Sequence, residues 1–198
     1  MTSADWLRRY TNAEIRQHSI TLVGENVILR PLTEQDWDVL FRWNNDPEVL
    51  YFVEGDYIPS RTMEEIKAIY RGVSQTAFCF MIEFQGKPIG ECQLQQMNLE
   101  RILNRYPGLD CRRIDIMIGE KSLWGQGLGT EAIGLLTQYG FDSEHADAIF
   151  GCDIADTNPR SRRAFEKNGY VVDGVYRTPQ GNKATRTYDL VCRRDQET

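Results

Sequence analysis

The sequence predicts an α/β chain: one central mixed β-sheet flanked by helices. Three observations carry this. Strand-like alternation and helix-like spacing succeed one another in the order β-α-α-β-β-β-α-β-α-β-β. Helix boundaries are marked by cap chemistry at Thr33, Thr62 and Gly169. A glycine-rich turn, Trp124-Gly125-Gln126-Gly127-Leu128-Gly129-Thr130, sits where a strand hands over to a helix. At 198 residues the chain is long enough to bury one core without staples. The expected organisation is an N-terminal extension over 1–22, packed on a single domain over 23–198.

The elements follow in order. Residues 1–22 are polar, with Trp6, Leu7 and Tyr10 as anchors. Asn26 to Leu32 alternates like a strand. Thr33 opens a Thr-x-x-Asp capping pattern, and Trp37, Leu40 and Phe41 follow at helical spacing. Thr62 with Glu65 opens a second helix, with Ile66, Ile69, Tyr70 and Val73 on one face. Core packing is the expected role of Trp37 and Trp43. Ala77–Phe84 and Pro88–Met97 read as a hairpin turning at Gln85-Gly86-Lys87. Asn98–Cys111 reads as a long polar loop, a feature that in compact domains tends to carry function. A strand over 112–119, the glycine turn and a helix over 128–141 come next. A short buried strand over 148–153 precedes a helix over 160–168, closed by Gly169 at the position a C′ glycine takes. Strands over 171–177 and 185–193 finish the chain.

Composition removes several classes of function. The net charge of −6, from 29 acidic and 23 basic residues, argues against nucleic acid and is compatible with a cationic ligand. Five scattered cysteines without a C-x-x-C pair fit neither a disulfide framework nor a thiolate zinc site. Cys79, Cys92 and Cys152 lie in apolar runs, where a thiol is expected to act as a small buried hydrophobe. No run reaches membrane-spanning length, and the first residues lack the apolar stretch of a secretion signal, so a cytoplasmic protein is expected. No metal and no membrane partner are expected. Monomer and homodimer remain open. His18 and His145 are assigned no catalytic or metal role.

The glycine turn carries the chemistry. Glycine permits close approach and φ > 0, so the N–H groups of Gly125, Gln126, Gly127, Leu128, Gly129 and Thr130 can converge on one anion at the positive end of the following helix. The chain thus offers a diphosphate cradle. Its G-x-G-x-G spacing is not the dinucleotide fingerprint, and no Gly-Lys-Ser/Thr follows, which excludes a P-loop. About thirty residues on stands Asn158-Pro159-Arg160-Ser161-Arg162-Arg163-Ala164-Phe165-Glu166-Lys167-Asn168-Gly169-Tyr170. Together the two motifs resemble the GCN5-related N-acetyltransferase superfamily, and the likeness in element order spans 27–192. The resemblance implies acetyl-CoA as cosubstrate, held in an opening between two splayed parallel strands, here 112–119 and 148–153. It also implies that Asn158 bonds the pantetheine amide, that Arg163 lies near the phosphates and that Trp124 fills a slot usually held by Arg or Gln.

Within that superfamily the chain is most similar to aminoglycoside N-acetyltransferases, chiefly the 6′-acting group; the 2′-acting kasugamycin type is similar too. Ile114-Asp115-Ile116, Asp153 five residues before Asn158, Asp46–Gly55 and Gly86–Gly90 carry this likeness. The implied function is direct acetyl transfer to an aminoglycoside amine in a ternary complex, conferring resistance. Alternatives are a ribosomal-protein or peptide N-terminal acetyltransferase and a non-catalytic acyl-CoA-binding module. Where many members carry a tyrosine as general acid, this chain has Phe165, so the acid is open; Tyr139 and Tyr170 are alternatives to water or the substrate ammonium.

Acetyl transfer requires a neutral amine, a polarised thioester and a proton for the thiolate. Alternation turns Ile114, Ile116 and Ile118 to one face and Asp115, Met117 and Gly119 to the other. Asp115 is therefore the candidate contact for the amine, the alternative being a solvated edge residue. As an aspartate it is a weak base, suited to orienting an ammonium. A backbone N–H near Met117 or Ile118 is the expected oxyanion donor. Glu54, Asp56, Glu91, Glu100, Asp110 and Asp153 are the acidic candidates for the rest of a polycation site. Arg160, Arg162 and Arg163 read equally as a solvated helix face.

Overall fold

The computed structural model describes residues 8–53 and 60–194. Glu54, Asp56, Trp6 and Leu7 lie outside the described residues. An eight-stranded sheet runs in the order β1-β2-β3-β4-β5-β6-β8-β7. Its strands are β1 (Leu22–Val23), β2 (Val27–Pro31), β3 (Ala77–Phe84), β4 (Lys87–Gln96), β5 (Cys111–Ile118), β6 (Ala148–Ala155), β7 (Val171–Arg177) and β8 (Arg186–Arg193). All neighbours are antiparallel except β5 and β6.

Local chemistry explains the boundaries. Thr33 and Asp36 form a reciprocal capping box ahead of helix α1 (Trp37–Trp43). Thr62 and Glu65 do the same for helix α3 (Met63–Ser74). The β3–β4 hairpin turns on Gln85 and Gly86, both at positive φ (52° and 72°), as a two-residue type I′ turn requires. Two helices were not anticipated. Helix α2 (Pro47–Val53) follows α1 after a three-residue break. Helix α4 (Glu100–Arg105) replaces the expected loop over 98–111. Its origin is Leu99, Ile102 and Tyr106, whose three- and four-residue spacing builds an apolar stripe against Phe150 and Val191.

The sheet has two covered faces. Helix α5 (Leu128–Asp142) lays Leu128, Ala132, Ile133 and Leu136 on Leu29, Phe80, Leu94, Ile114 and Ile149, with Phe165 and Tyr170 completing that core. On the other face α1 and α3 enclose Trp43, Ile66, Tyr70, Met81 and Met117. Ile116 and Ile118 pack towards α5 while Met117 packs opposite, so the alternation read in the sequence is realised. Trp37 and Trp43 are core residues. Trp43 lies flat on Gly119, where a Cβ would come within 2.2 Å of its ring, so this crossing needs glycine.

In the extension, Ile20 and Leu22 pack on the first core, while residues 15–18 lie along the edge of the second. Ile15 is buried there, Arg16 donates to the carbonyls of Ser74 and Ala77, and His18 Nε2 lies 2.9 Å from the Cys79 carbonyl. Among the described residues no helix is long and apolar enough to cross a membrane.

Candidate functional site

The site begins where β5 and β6 part. They pair only through Cys111↔Ala148, Arg112↔Ile149 and Arg113↔Phe150, leaving 114–118 and 151–155 unpaired to each other. The cause lies on β6. Its ladder with β8 shifts register between Gly151 and Ile154, and Asp153 sits at φ 55°. Fully buried Asp189 on β8 anchors this bulge by accepting the Asp153 N–H at 3.0 Å. It also accepts two bonds from Arg101 of α4, at 2.8 and 2.9 Å. Arg101 and Asp189 thus shape the opening, although neither belongs to a motif. An aspartate inside the apolar run Tyr188-Asp189-Leu190-Val191 was the available signal.

The splay exposes main-chain groups. In the β4–β5 ladder Gly119 donates to Ile89 and Met97 to Cys111, so alternation commits Met117 and Asp115 to β4 and turns the N–H groups of Ile116 and Ile118 towards the gap. Of the two oxyanion candidates, this favours Ile118 over Met117. The Ile118 carbonyl accepts the indole N–H of Trp124 at 2.7 Å, fixing the start of the glycine turn against the strand.

Beyond that turn, Gly125 and Gly127 adopt φ of 80° and 86°, and Gly127 is the N-cap of α5 with no side chain capping the first helical turn. A cavity of about 310 Å³ opens over these uncapped N–H groups. It is lined by Met117, Ile118, Trp124, Gly125, Gly127, Leu128, Gly129 and Thr130 on one side and Asn158, Arg160, Arg163 and Lys167 on the other. Gln126 turns away, its amide donating to the Ser122 carbonyl. Arg163 and Lys167 form no ion pair among the described residues. Uncapped N–H groups facing cations are the chemistry of a bound diphosphate, so the chain fits that group.

Asn158 is more occupied than expected. Its Oδ1 accepts the Ser161 N–H and caps helix α6 (Pro159–Glu166), and its Nδ2 donates to the Phe52 carbonyl at 2.9 Å. Arg160 lies over both the Phe52 and Trp124 rings, 4.4 and 4.3 Å from their centroids, while the two rings meet edge to face. It is exposed on its helix and holds both ring contacts there.

A second cavity, of about 360 Å³, meets the first at Phe52, Ile116, Met117, Asn158 and Ser161. Its charged lining residues are Glu91, Asp115 and Asp153, and no lysine or arginine lines it among the described residues. Asp115 accepts from Arg113 at 2.7 Å and from Gln93 at 3.1 Å. Asp153 is half-exposed and paired with Arg101 at 2.8 Å. Burial first, then the nearby Asp115 charge, pushes the Glu91 carboxyl up to about 8, while the Tyr70 hydroxyl opposes the shift.

Two other acidic candidates lie elsewhere. Asp110 precedes β5 at the paired end, ion-paired with Arg112, and lines neither cavity. Glu100 is exposed at the start of α4. Cys152 lines the second cavity instead of being a fully buried hydrophobe. Phe165 is buried against Gly151 and Tyr170 at the cavity floor. Neither Tyr139, bonded to Glu144, nor Tyr170, bonded to Thr137, reaches the cavities.

The Glu91 shift has a consequence for stability. Folding raises this carboxyl from about 4.5 to about 8, so the folded chain holds the proton more tightly than the unfolded chain does. That contribution is fully present below the lower value and lost as pH climbs through the upper one. Glu91→Gln carries no such loss. Its melting temperature is expected to gain on the wild type from pH 5 to 8, then run parallel; a constant difference across this range contradicts the burial.

Residues 26–171 match the family described as Acetyltransferase (GNAT) domain. The chain is 28% identical to aminoglycoside N(6')-acetyltransferase type 1 of Klebsiella pneumoniae over 86% of this chain and 87% of that protein. It is 25% identical to an N-acetyltransferase 9-like protein of Nematostella vectensis, over 77% and 78% respectively. Among solved structures, a GNAT-family acetyltransferase of Bacillus anthracis superposes with a TM-score of 0.70 at 18% identity, covering 88% of this chain and 98% of that one. AAC(6')-Ib in complex with parmomycin and acetyl-CoA gives 0.67 at 23% identity, over 86% and 94%. The parted parallel strands, the uncapped helix start beside them and the family match over most of the chain agree: it belongs to the GNAT acetyltransferase family.

Proposed function

We propose that this acetyltransferase moves the acetyl group of acetyl-CoA directly onto an amine of an aminoglycoside, and so confers resistance. One observation carries the choice of acceptor: a cavity whose charged lining is Glu91, Asp115 and Asp153, joined to the diphosphate cradle at the strand splay. The Asp115 and Asp153 carboxylates facing one cavity, with the Glu91 carboxyl beside them, suit a compact polycation whose ammonium groups the two aspartates orient. The relative from Klebsiella pneumoniae supports the same class.

In this reading acetyl-CoA supplies the activated acetyl group. The N–H groups of 125–130 hold its diphosphate, with Arg163 and Lys167 adding charge. Asn158 bonds its pantetheine arm by releasing the Phe52 carbonyl. The Ile118 N–H stabilises the oxyanion, and Asp115 binds the ammonium next to the reacting carbonyl. Phe165 donates nothing, so the thiolate takes its proton from the attacking nitrogen or from water.

The test is thiol release from acetyl-CoA with kanamycin, ribostamycin and short peptides, followed by NMR of the product. Turnover with the aminoglycosides is expected. Turnover with peptides alone would assign an N-terminal acetyltransferase, and cofactor binding without any turnover would assign an acyl-CoA-binding module.

A further inference from the structure

The proposed function leaves one proton without a destination. An acceptor ammonium has no lone pair until it loses a proton, and Asp115 is poorly placed to take it, because its carboxylate already accepts from Arg113 and Gln93. Glu91 differs in each respect. It lies on β4 opposite Met117, two residues from Gln93, the partner of Asp115. That register makes Glu91 and Asp115 diagonal neighbours on one face, a separation of roughly 7 to 8 Å between strand positions. Both line the acceptor cavity.

From α3 the Tyr70 hydroxyl stands 3.4 Å from Glu91 Oε1, and Asn44 Nδ2 donates to Tyr70 at 3.0 Å. The Cys79 thiol approaches from β3 and Cys92 is the next residue on its own strand. Asp115, with Arg113 attached, approaches from β5. No cation pairs with Glu91 among the described residues. A neutral carboxylic acid therefore rests beside an anion that attracts ammonium.

We propose that Glu91 is the general base: its carboxylate accepts one proton from the acceptor ammonium while Asp115 holds that nitrogen in place. This rests on the acetyltransfer reading above. The balance is direct. The ammonium gives one proton to Glu91 and becomes a neutral amine. The nitrogen lone pair forms the N–C bond as the carbonyl pair moves to oxygen. The C–S bond then breaks, and the sulfur takes a second proton from that nitrogen. Glu91 returns its proton to water. Burial holds the free carboxyl near 8, and the arriving cation lowers it, so a base appears as the substrate docks.

Glu91→Gln is close to isosteric with the protonated side chain and should fold. With the best acceptor of the panel, kcat is expected to drop by about 10²- to 10⁴-fold, the usual range for a lost general base. KM should move by less than about threefold, since Asp115 still holds the ammonium. The wild-type rise of kcat/KM with pH should lose the component near 8, and Glu91→Asp should restore part of the rate. A ¹³C-glutamate titration of the free protein should show one carboxyl near 8 that the Gln variant lacks. Wild-type kcat and an unchanged pH profile in the variant would overturn the assignment, as would absence of that carboxyl. If wild type binds acetyl-CoA yet acetylates no amine, the acetyltransfer reading fails and takes this role with it. An active wild type with an equally active variant removes Glu91 alone.

Discussion

Gly127→Asp is expected to weaken acetyl-CoA binding by about 10²- to 10³-fold. Gly127 sits at φ 86°, a conformation that costs an L-residue about 1–2 kcal/mol. No atom lies within 4 Å of a Cβ built there, so the penalty comes from the backbone and the charge, not from collision. The new carboxylate would cap the first turn of α5 and occupy the N–H groups that the diphosphate requires. Losing charge-assisted bonds of about 1.5–3 kcal/mol, with repulsion between the new carboxylate and the diphosphate added, gives the stated range. Calorimetry with acetyl-CoA measures it directly. Binding within threefold of wild type would show that the turn is not the anion site.

Asp115→Asn should divide the two substrates. It keeps shape and the contact with Gln93 but removes the negative charge facing the acceptor cavity. One charged hydrogen bond of about 1.5–3 kcal/mol corresponds to a loss of about 10- to 100-fold in kcat/KM for the amine. Acetyl-CoA affinity should stay near wild type, because Asp115 does not line the cradle. Steady-state kinetics with each substrate varied in turn reads the split. An unchanged rate removes Asp115 from the mechanism.

Much of this arrangement is local in the chain and therefore legible there. The Thr62–Glu65 box, the Gln85-Gly86 turn and the Ile114, Ile116, Ile118 alternation each depend on neighbours within a few residues. The glycine turn is legible for the same reason, since its strand, its positive φ and its helix are contiguous. What escaped depends on distant partners. Helix α4 exists because Ile102 finds Phe150 and Val191 across the sheet. The bulge at Asp153 depends on Asp189, and Arg101 joins both across 52 and 88 residues of chain. Asp110 and Asp153 look alike as isolated acids. Only the strand splay shows that Asp153 lines the second cavity while Asp110 ends at the closed edge, beside Arg112. Glu91 was legible as an acid on a strand, but its burial beside Tyr70 and Asp115 required the register of β3, β4 and β5.

Amide ¹H–¹⁵N shifts recorded while acetyl-CoA is titrated in report on the diphosphate cradle itself, because it consists of main-chain N–H groups. The largest changes should fall on 125–130 and on Ile116 and Ile118 at the parted strands, with smaller ones at Asn158 and its helix. Saturable binding whose shifts lie elsewhere, or no binding at all, would contradict it.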